Sequence, residues 1–233
     1  ILVAALGGQG GGVLADWIVR AARSEGFAVQ ATSTPGVSQR TGATIYYVEI
    51  APAGNGAPPT VLGLAPVPGR VDVLVCAELL EAARMLERGM STPSRTTVIA
   101  STHRVFTTRE KMSCSDGRYD ASRILAAVAA LSRRSVLFDM DDVRARHRAA
   151  ISAVLFGALA GSGAVPLART ACEEAIRGAG KGVAASLQAF AEAFDRAAAG
   201  RTAVGDAPAP SERAAPAEAQ LPAGLASRVA ALL

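Results

Sequence analysis

The residues best suited to chemistry lie in two loops near the start of the chain. The first is Gly7-Gly-Gln-Gly-Gly-Gly12, in which Gly10, Gly12 and Ala15 meet the spacing G-x-G-x-x-A. Glycines there let the backbone turn tightly and bring amide N–H groups at a helix N-terminus against a phosphate. A nucleotide loop would also require an acid after the second strand for the ribose hydroxyls. No Asp or Glu occurs between Glu25 and Glu49, and no Gly-Lys-Ser/Thr follows the glycines. Plain NAD binding and a Walker-type phosphate loop therefore lack their second halves. A tight turn with no ligand and a loop facing a ligand shared with another subunit both stay open. The second loop is Pro35-Gly-Val-Ser-Gln-Arg-Thr-Gly42. It concentrates donors at Ser38, Gln39, Arg40 and Thr41, and the Arg40 guanidinium suits a phosphate or carboxylate. A solvated loop is the alternative reading.

Other reactive types do not assemble. Ser115-Asp-Gly-Arg118 holds an Asp-Gly pair, but a thiamine diphosphate site needs a downstream Asn, and the chain's one asparagine, Asn55, lies upstream. Asp116-Gly117 is read as a turn. Asp139, Asp141 and Asp142 follow a strand and suit helix capping better than a metal. His103 and His147 have no nucleophile beside them in a known motif. Cys76, Cys114 and Cys172 are too scattered for a CxxC site or an iron–sulfur cluster. The sequence therefore offers no catalytic residue and no metal ligand set.

The elements that must position these loops follow from periodicity. Ile1–Leu6 is an apolar run ending in glycine, a strand buried on both faces. A helix is predicted from about Val13 to Ser24, stopped by Gly26, then strands Ala28–Ser33 and Ala43–Ile50. Residues 52–69 are rich in Pro and Gly and form an excursion. Strands Val71–Cys76, Thr96–Ala100 and Ser135–Asp139 alternate with helices Glu78–Arg88 and Ala121–Ser132. From Asp141 to about Ala199 the pattern is helical throughout. Core stripes are expected at Ile151, Val154, Leu155, Ala158 and Leu159, and at Val183, Leu187, Phe190 and Phe194. Strand–helix alternation implies an α/β fold: a doubly wound, mostly parallel sheet with a helical C-terminal portion and an extended tail. That arrangement puts both loops at the carboxyl edge of the sheet, where such folds bind ligands.

Composition narrows the setting. The 233 residues are 50% hydrophobic and 19% charged, which excludes a disordered chain. Of 24 cationic residues all but Lys111 and Lys181 are arginine, spread along the chain, and aromatics are 4%. No nucleic-acid surface is expected. No apolar run reaches the roughly 18 residues needed to span a membrane. Reduced, scattered cysteines fit a cytoplasmic protein. The chain opens on Ile1 in mid-strand, and its last residues, 221–233, begin a helix without finishing it. Both ends are read as cuts in a longer protein.

Leu6-Gly-Gly-Gln-Gly-Gly-Gly-Val-Leu14 followed by Thr34-Pro-Gly-Val-Ser-Gln-Arg-Thr-Gly-Ala43 resembles the gamma domain of the 2-oxoacid:ferredoxin oxidoreductases. Within that group it is most similar to the beta subunit of indolepyruvate ferredoxin oxidoreductase. Supporting stretches are Val73–Glu81, Ser101–Val105, Leu155–Ala160 and Gly182–Phe190. Thr41-Gly42 departs from the Gly-Gly of many relatives. The resemblance implies a gamma-type domain over residues 1–200. It makes 201–233 a Pro/Ala-rich linker or arm leading to a missing C-terminal region. It further implies an alpha-subunit partner carrying thiamine diphosphate, Mg²⁺ and 4Fe–4S clusters. That partner would decarboxylate an arylpyruvate, pass electrons to ferredoxin or another acceptor, and hand the acyl group to coenzyme A. The present chain would hold no cofactor. Gly8, Gln9, Gly10, Gly11, Ser38, Gln39, Arg40 and Thr41 would face the ligand or the partner. Two rival readings are a free-standing dinucleotide-binding oxidoreductase and a purely structural assembly subunit.

Overall fold

A computed structural model describes residues 1–34, 43–52, 61–103, 120–180 and 182–203. Strand β1 (Leu2–Leu6) leads through the glycine loop into helix α1 (Gly11–Ser24). Strands β2 (Ala28–Thr34), β3 (Ala43–Ala51) and β4 (Val73–Cys76) follow. Helix α2 (Leu79–Glu87), β5 (Thr97–Ser101), α3 (Ala121–Leu131) and β6 (Arg134–Phe138) come next. Helices α4 (Met140–His147), α5 (Ile151–Ser162), α6 (Arg169–Arg177) and α7 (Val183–Ala203) complete the described chain.

The six strands form one sheet in the order β2-β3-β1-β4-β5-β6. β1, β4, β5 and β6 are parallel neighbours. β3 runs antiparallel between β1 and β2, pairing Leu2 with Tyr47 and Ala28 with Ala51. The expected mostly parallel α/β sheet, flanked by helices on both faces, is the observed one. Among the described residues no helix is long and apolar enough to cross a membrane.

Strand side chains divide with period two between two cores. Val3, Ala5, Val73, Val75 and Ile99 face α1 and the helices after β6. Leu2, Ala4, Leu74, Cys76, Val98 and Ala100 face α2 and α3. Both sides are covered, so β1, β4 and β5 read as unbroken apolar runs rather than as alternation.

The region read as helical throughout is built of four helices. Arg148 takes a left-handed φ of 52° after α4, and Gly163 takes 67° after α5. The stripe expected on α5 is also too narrow, because all twelve of its residues are buried. α5 lies over the sheet beside α1 with α7 across its outer side, so no face meets water. Gly157 and Gly161 make that crossing close: a β-carbon at either would come within 2.2 Å of Phe190 O or 2.3 Å of Phe194 O. Trp17, Phe156, Phe190 and Phe194 follow one another through this layer at centroid separations of 5.9, 5.6 and 6.1 Å.

Candidate functional site

The glycine loop is shaped by its own hydrogen bonds. Gln9 N–H donates to Leu6 O at 3.1 Å, and Leu6 N–H donates to Gln9 Oε1 at 2.7 Å. The turn this closes puts Gly8 at φ 89° and Gly10 at φ 70°, where a side chain would be strained. Gly11 serves a different purpose. A β-carbon there would lie 2.6 Å from the Tyr46 ring and 3.0 Å from Ala5 Cβ, so only glycine lets α1 start this close to the sheet.

α1 begins without a side-chain cap and without an acid in its first turn. So does α5, whose N-cap is Ala150. The starts of α2, α3 and α4 are capped by carboxylates. Glu78 accepts from Leu80 and Glu81 N–H, Asp120 from Ser122 N–H, and Asp139 from Asp142 N–H. At the start of α6, Ala168 N–H donates to the Glu25 carboxylate. The first amides of a helix have no partner within it and carry partial positive charge. Among the described residues no side chain caps α1 or α5.

Both uncapped starts open onto one cleft of about 840 Å³. Gly8, Gln9, Gly10 and Gly12 form its lip, and Trp17 and Ile151 contribute apolar wall. His103, at the carboxyl end of β5, and Arg144, on α4, close the far side. The carboxylates present are matched by cations: Asp16 by Arg20 at 2.7 Å and Asp141 by Arg144. The Arg144 hydrogen bond holds the Asp141 carboxyl below its ordinary range. Such a cleft suits a ligand with an anionic group and an apolar portion.

Of the residues singled out from sequence, the structure brings Gly8, Gln9 and Gly10 to this cleft and puts Gly11 at the α1–Tyr46 contact. Ser38, Gln39, Arg40 and Thr41 lie outside the described residues, as do Asn55, Cys114, Asp116 and Gly117. Asp139 is a helix cap, as its position after a strand suggested, whereas Asp141, expected in the same capping role, pairs with Arg144. Among the described residues no three His, Cys, Asp or Glu side chains gather for a metal. His147 sits away from the cleft, 2.7 Å from Glu192. Cys76 and Cys172 lie in different cores. Burial raises both thiols, Cys172 to about 12, so neither is a ready nucleophile.

The lining residues that escaped the sequence reading include Arg144 and Ser152, whereas His103 was weighed there only as a lone histidine. Ser152 is the most informative. It is 1% exposed, and its hydroxyl has no hydrogen-bond partner among the described residues. It would touch a β-carbon at Gly10 at 3.2 Å. A serine at the start of an apolar helical run was the available signal; Ser162, at the other end of α5, differs in donating to Leu159 O.

Residues 1–196 match the family model described as pyruvate ferredoxin/flavodoxin oxidoreductase. The chain belongs to that family. Solved structures agree in fold. The gamma subunit of a keto/oxoacid ferredoxin oxidoreductase from Geobacter sulfurreducens superposes with a TM-score of 0.58 at 15% identity, over 85% of this chain and 97% of that one. The pyruvate oxidoreductase subunit PORC from Thermotoga maritima gives 0.52 at 19% identity, covering 84% and 95%. A 2-oxoglutarate:ferredoxin oxidoreductase from Magnetococcus marinus, solved with 2-oxoglutarate, coenzyme A and succinyl-CoA bound, gives 0.56 at 15% identity. There the match covers 85% of this chain and 30% of the larger one. No curated protein sequence matches the chain significantly. Family and fold together put the chain among the subunits of 2-oxoacid:ferredoxin oxidoreductase complexes.

Proposed function

We propose that this chain is the cofactor-free subunit of an arylpyruvate ferredoxin oxidoreductase of the indolepyruvate type. On this reading it closes over the active site of an alpha-subunit partner in the cytoplasm. The observation that carries the proposal is the glycine-lined cleft, whose two uncapped helix starts await an anionic group. Residues 1–200 would be the working domain, and 201–233 an arm toward a further C-terminal region.

The chain's own side chains do not fit an iron–sulfur cluster or a thiamine diphosphate–Mg²⁺ site. Cys76 and Cys172 are separated by the sheet, and the chain's one asparagine is Asn55. Those groups are assigned to the partner, where they would supply decarboxylation and the path for two electrons to ferredoxin. The work left to this chain is binding and enclosure. Amides of Gly8, Gly10 and Gly11 and of the first turn of α1 would hold a phosphate of coenzyme A or the carboxylate of the 2-oxoacid. Ser38, Gln39, Arg40 and Thr41, the donors of the second loop, would line the path or meet the partner. Trp17 and Ile151 would shield the apolar part of the ligand from water.

A partner surface is supported separately. Val61, Leu64 and Val67 are 95%, 76% and 57% exposed. They ride on a segment fastened outside β2 by Gln30 Nε2–H donating to Gly63 O and Thr32 Oγ1–H donating to Leu64 O. Contiguous exposed apolar patches mark interaction sites, and we assign these three neighbouring side chains to the partner surface.

Co-expression with the alpha subunit tests the proposal. A brown complex that oxidises indolepyruvate, reduces ferredoxin and needs coenzyme A is expected. A colourless chain that ignores the partner and binds NAD would overturn it in favour of a free-standing dinucleotide enzyme. Against that rival stand the missing acid after β2 and the position of β3, which separates β2 from β1. An intact complex whose activity is indifferent to changes in either loop would make the chain an assembly subunit only.

A further inference from the structure

We infer that Ser152 and the N-terminus of α5 form an oxyanion subsite directly across from the glycine loop, completing a two-sided clamp. The inference rests on the ligand-facing reading of the cleft and deepens it, because it names the residue that would fix the ligand's charged group.

Ser152 puts a hydroxyl where an apolar side chain is expected. Ser152 is the second residue of α5, whose other eleven residues are equally buried. Its Oγ is enclosed yet has no hydrogen-bond partner among the described residues. A serine in a helix can ordinarily donate to the carbonyl one turn back, and buried hydroxyls nearly always find some acceptor. Alanine, common in this chain, would fill the position without leaving a polar atom unsatisfied. The hydroxyl faces the left-handed Gly10, against which it packs closely enough that a β-carbon there would stand 3.2 Å away. Gly10 is also the residue from which α1 starts.

The surroundings select an acceptor of negative charge. Two helix N-termini, of fourteen and twelve residues, meet the cleft without caps. Their free amides and the Ser152 hydroxyl are all donors. The nearby carboxylates of Asp16 and Asp141 are held by Arg20 and Arg144, so the helix ends set the sign of the site. A phosphate or carboxylate oxygen seated in the cleft beside the Gly10–Ser152 contact would meet three sets of donors together once the Ser152 hydroxyl turns toward it. Two sources share that chemistry, the diphosphate of coenzyme A and the carboxylate of the 2-oxoacid.

The test uses the full chain and its only tryptophan. Trp17 lines the cleft, so its emission reports occupancy. Inorganic pyrophosphate is titrated into the wild type and into Ser152→Ala. The loss of a hydrogen bond to a charged group predicts Kd weakened by about 10-fold or more. The apo melting temperature of Ser152→Ala should be unchanged or higher, since an unsatisfied buried hydroxyl has been removed. A purely structural serine would give the opposite pattern, with lower melting temperature and unaltered Kd, and would overturn the inference. Absence of any pyrophosphate-induced change in wild-type emission or melting temperature would overturn it too, while leaving the assignment to an arylpyruvate complex to its own activity test. Coenzyme A competing with pyrophosphate, and doing so less well in Ser152→Ala, supports the diphosphate source. Indolepyruvate behaving that way supports the carboxylate source. If pyrophosphate binding depends on Ser152 and neither compound competes, the subsite stands and the ligand-path reading of the cleft fails.

Discussion

Gly157→Ala should destabilise the protein although alanine is the better helix former. In the wild type α5 and α7 cross so closely that the added β-carbon would lie 2.2 Å from Phe190 O and 2.9 Å from Phe190 C. Carbon contacts settle near 3.5 Å, so the two helices would have to part by roughly 1 Å. The obstacle is backbone, which cannot swing aside as a side chain does. Overpacking of this kind costs about 1–3 kcal/mol, and an immovable neighbour argues for the upper end. Helix propensity returns about 1 kcal/mol. The net loss is therefore about 2 kcal/mol, or a fall in Tm of roughly 4–8 °C for a chain of this size. Gly200→Ala is the matched control. Gly200 is an exposed residue of α7, and a β-carbon added there would meet nothing within 4 Å. The propensity gain should appear there alone, raising Tm by about 2–4 °C. Thermal and urea denaturation of the three proteins decide the matter. Gly157→Ala matching Gly200→Ala in stability would refute the close crossing of α5 and α7.

Glu81 is buried beside Glu78, and burial pushes its carboxyl up to about 7 against the opposing pull of Arg84. The native state keeps a proton that the unfolded chain has lost, so stability should fall as pH rises from about 4.5 to 7. The fall is at most about 3 kcal/mol. In Glu81→Gln that slope should flatten in denaturant titrations at pH 5, 6, 7 and 8, and an unchanged slope would contradict the burial. Arg40→Ala, with Gln39→Ala beside it, should leave the fold intact and cost roughly 10- to 150-fold in the constant for the ligand that Arg40 meets. Wild-type kinetics in an intact complex would return that loop to a solvent role. The purified chain without its partner should contain no stoichiometric iron by elemental analysis, and iron at one or more atoms per chain would refute the placement of the clusters on the partner. Leu64→Ser should weaken partner association in sedimentation experiments without lowering the melting temperature, because Leu64 is largely in water. A variant that binds the partner as tightly as wild type would remove this strip from the interface.

Much of the site was legible because its causes are local. A run such as Leu2–Leu6 can only be a strand covered on both faces, and five glycines after it can only be a sharp turn into a helix. The left-handed Gly8 and Gly10 bear this out. Asp139 reads as a cap because the donor it serves, Asp142 N–H, is three residues away. The paired loops also carried the family resemblance, and in the first of them a backbone shape that favours glycine leaves a direct mark on the sequence.

What the tertiary structure decided is whatever depends on partners distant in sequence. Nothing in Ala43–Ala51 announces that it would run antiparallel between β1 and β2, because pairing is settled by ladders between segments rather than within them. α5 looked like a striped helix, and only the arrival of α7 across its outer side buried every face. Gly157 and Gly161 acquire their meaning from that same crossing. Ser152 stood out in sequence only as a serine in an apolar run, and its place in the site was hidden for the same reason. Its hydroxyl matters only because the start of α5 lands beside Gly10, and the packing of α1, α5 and α7 on the sheet makes that contact. Sequence determined which backbone could turn and which side chains must be buried, through local sterics and the hydrophobic pattern. The meeting of two uncapped helix starts over one cleft is a product of long-range packing.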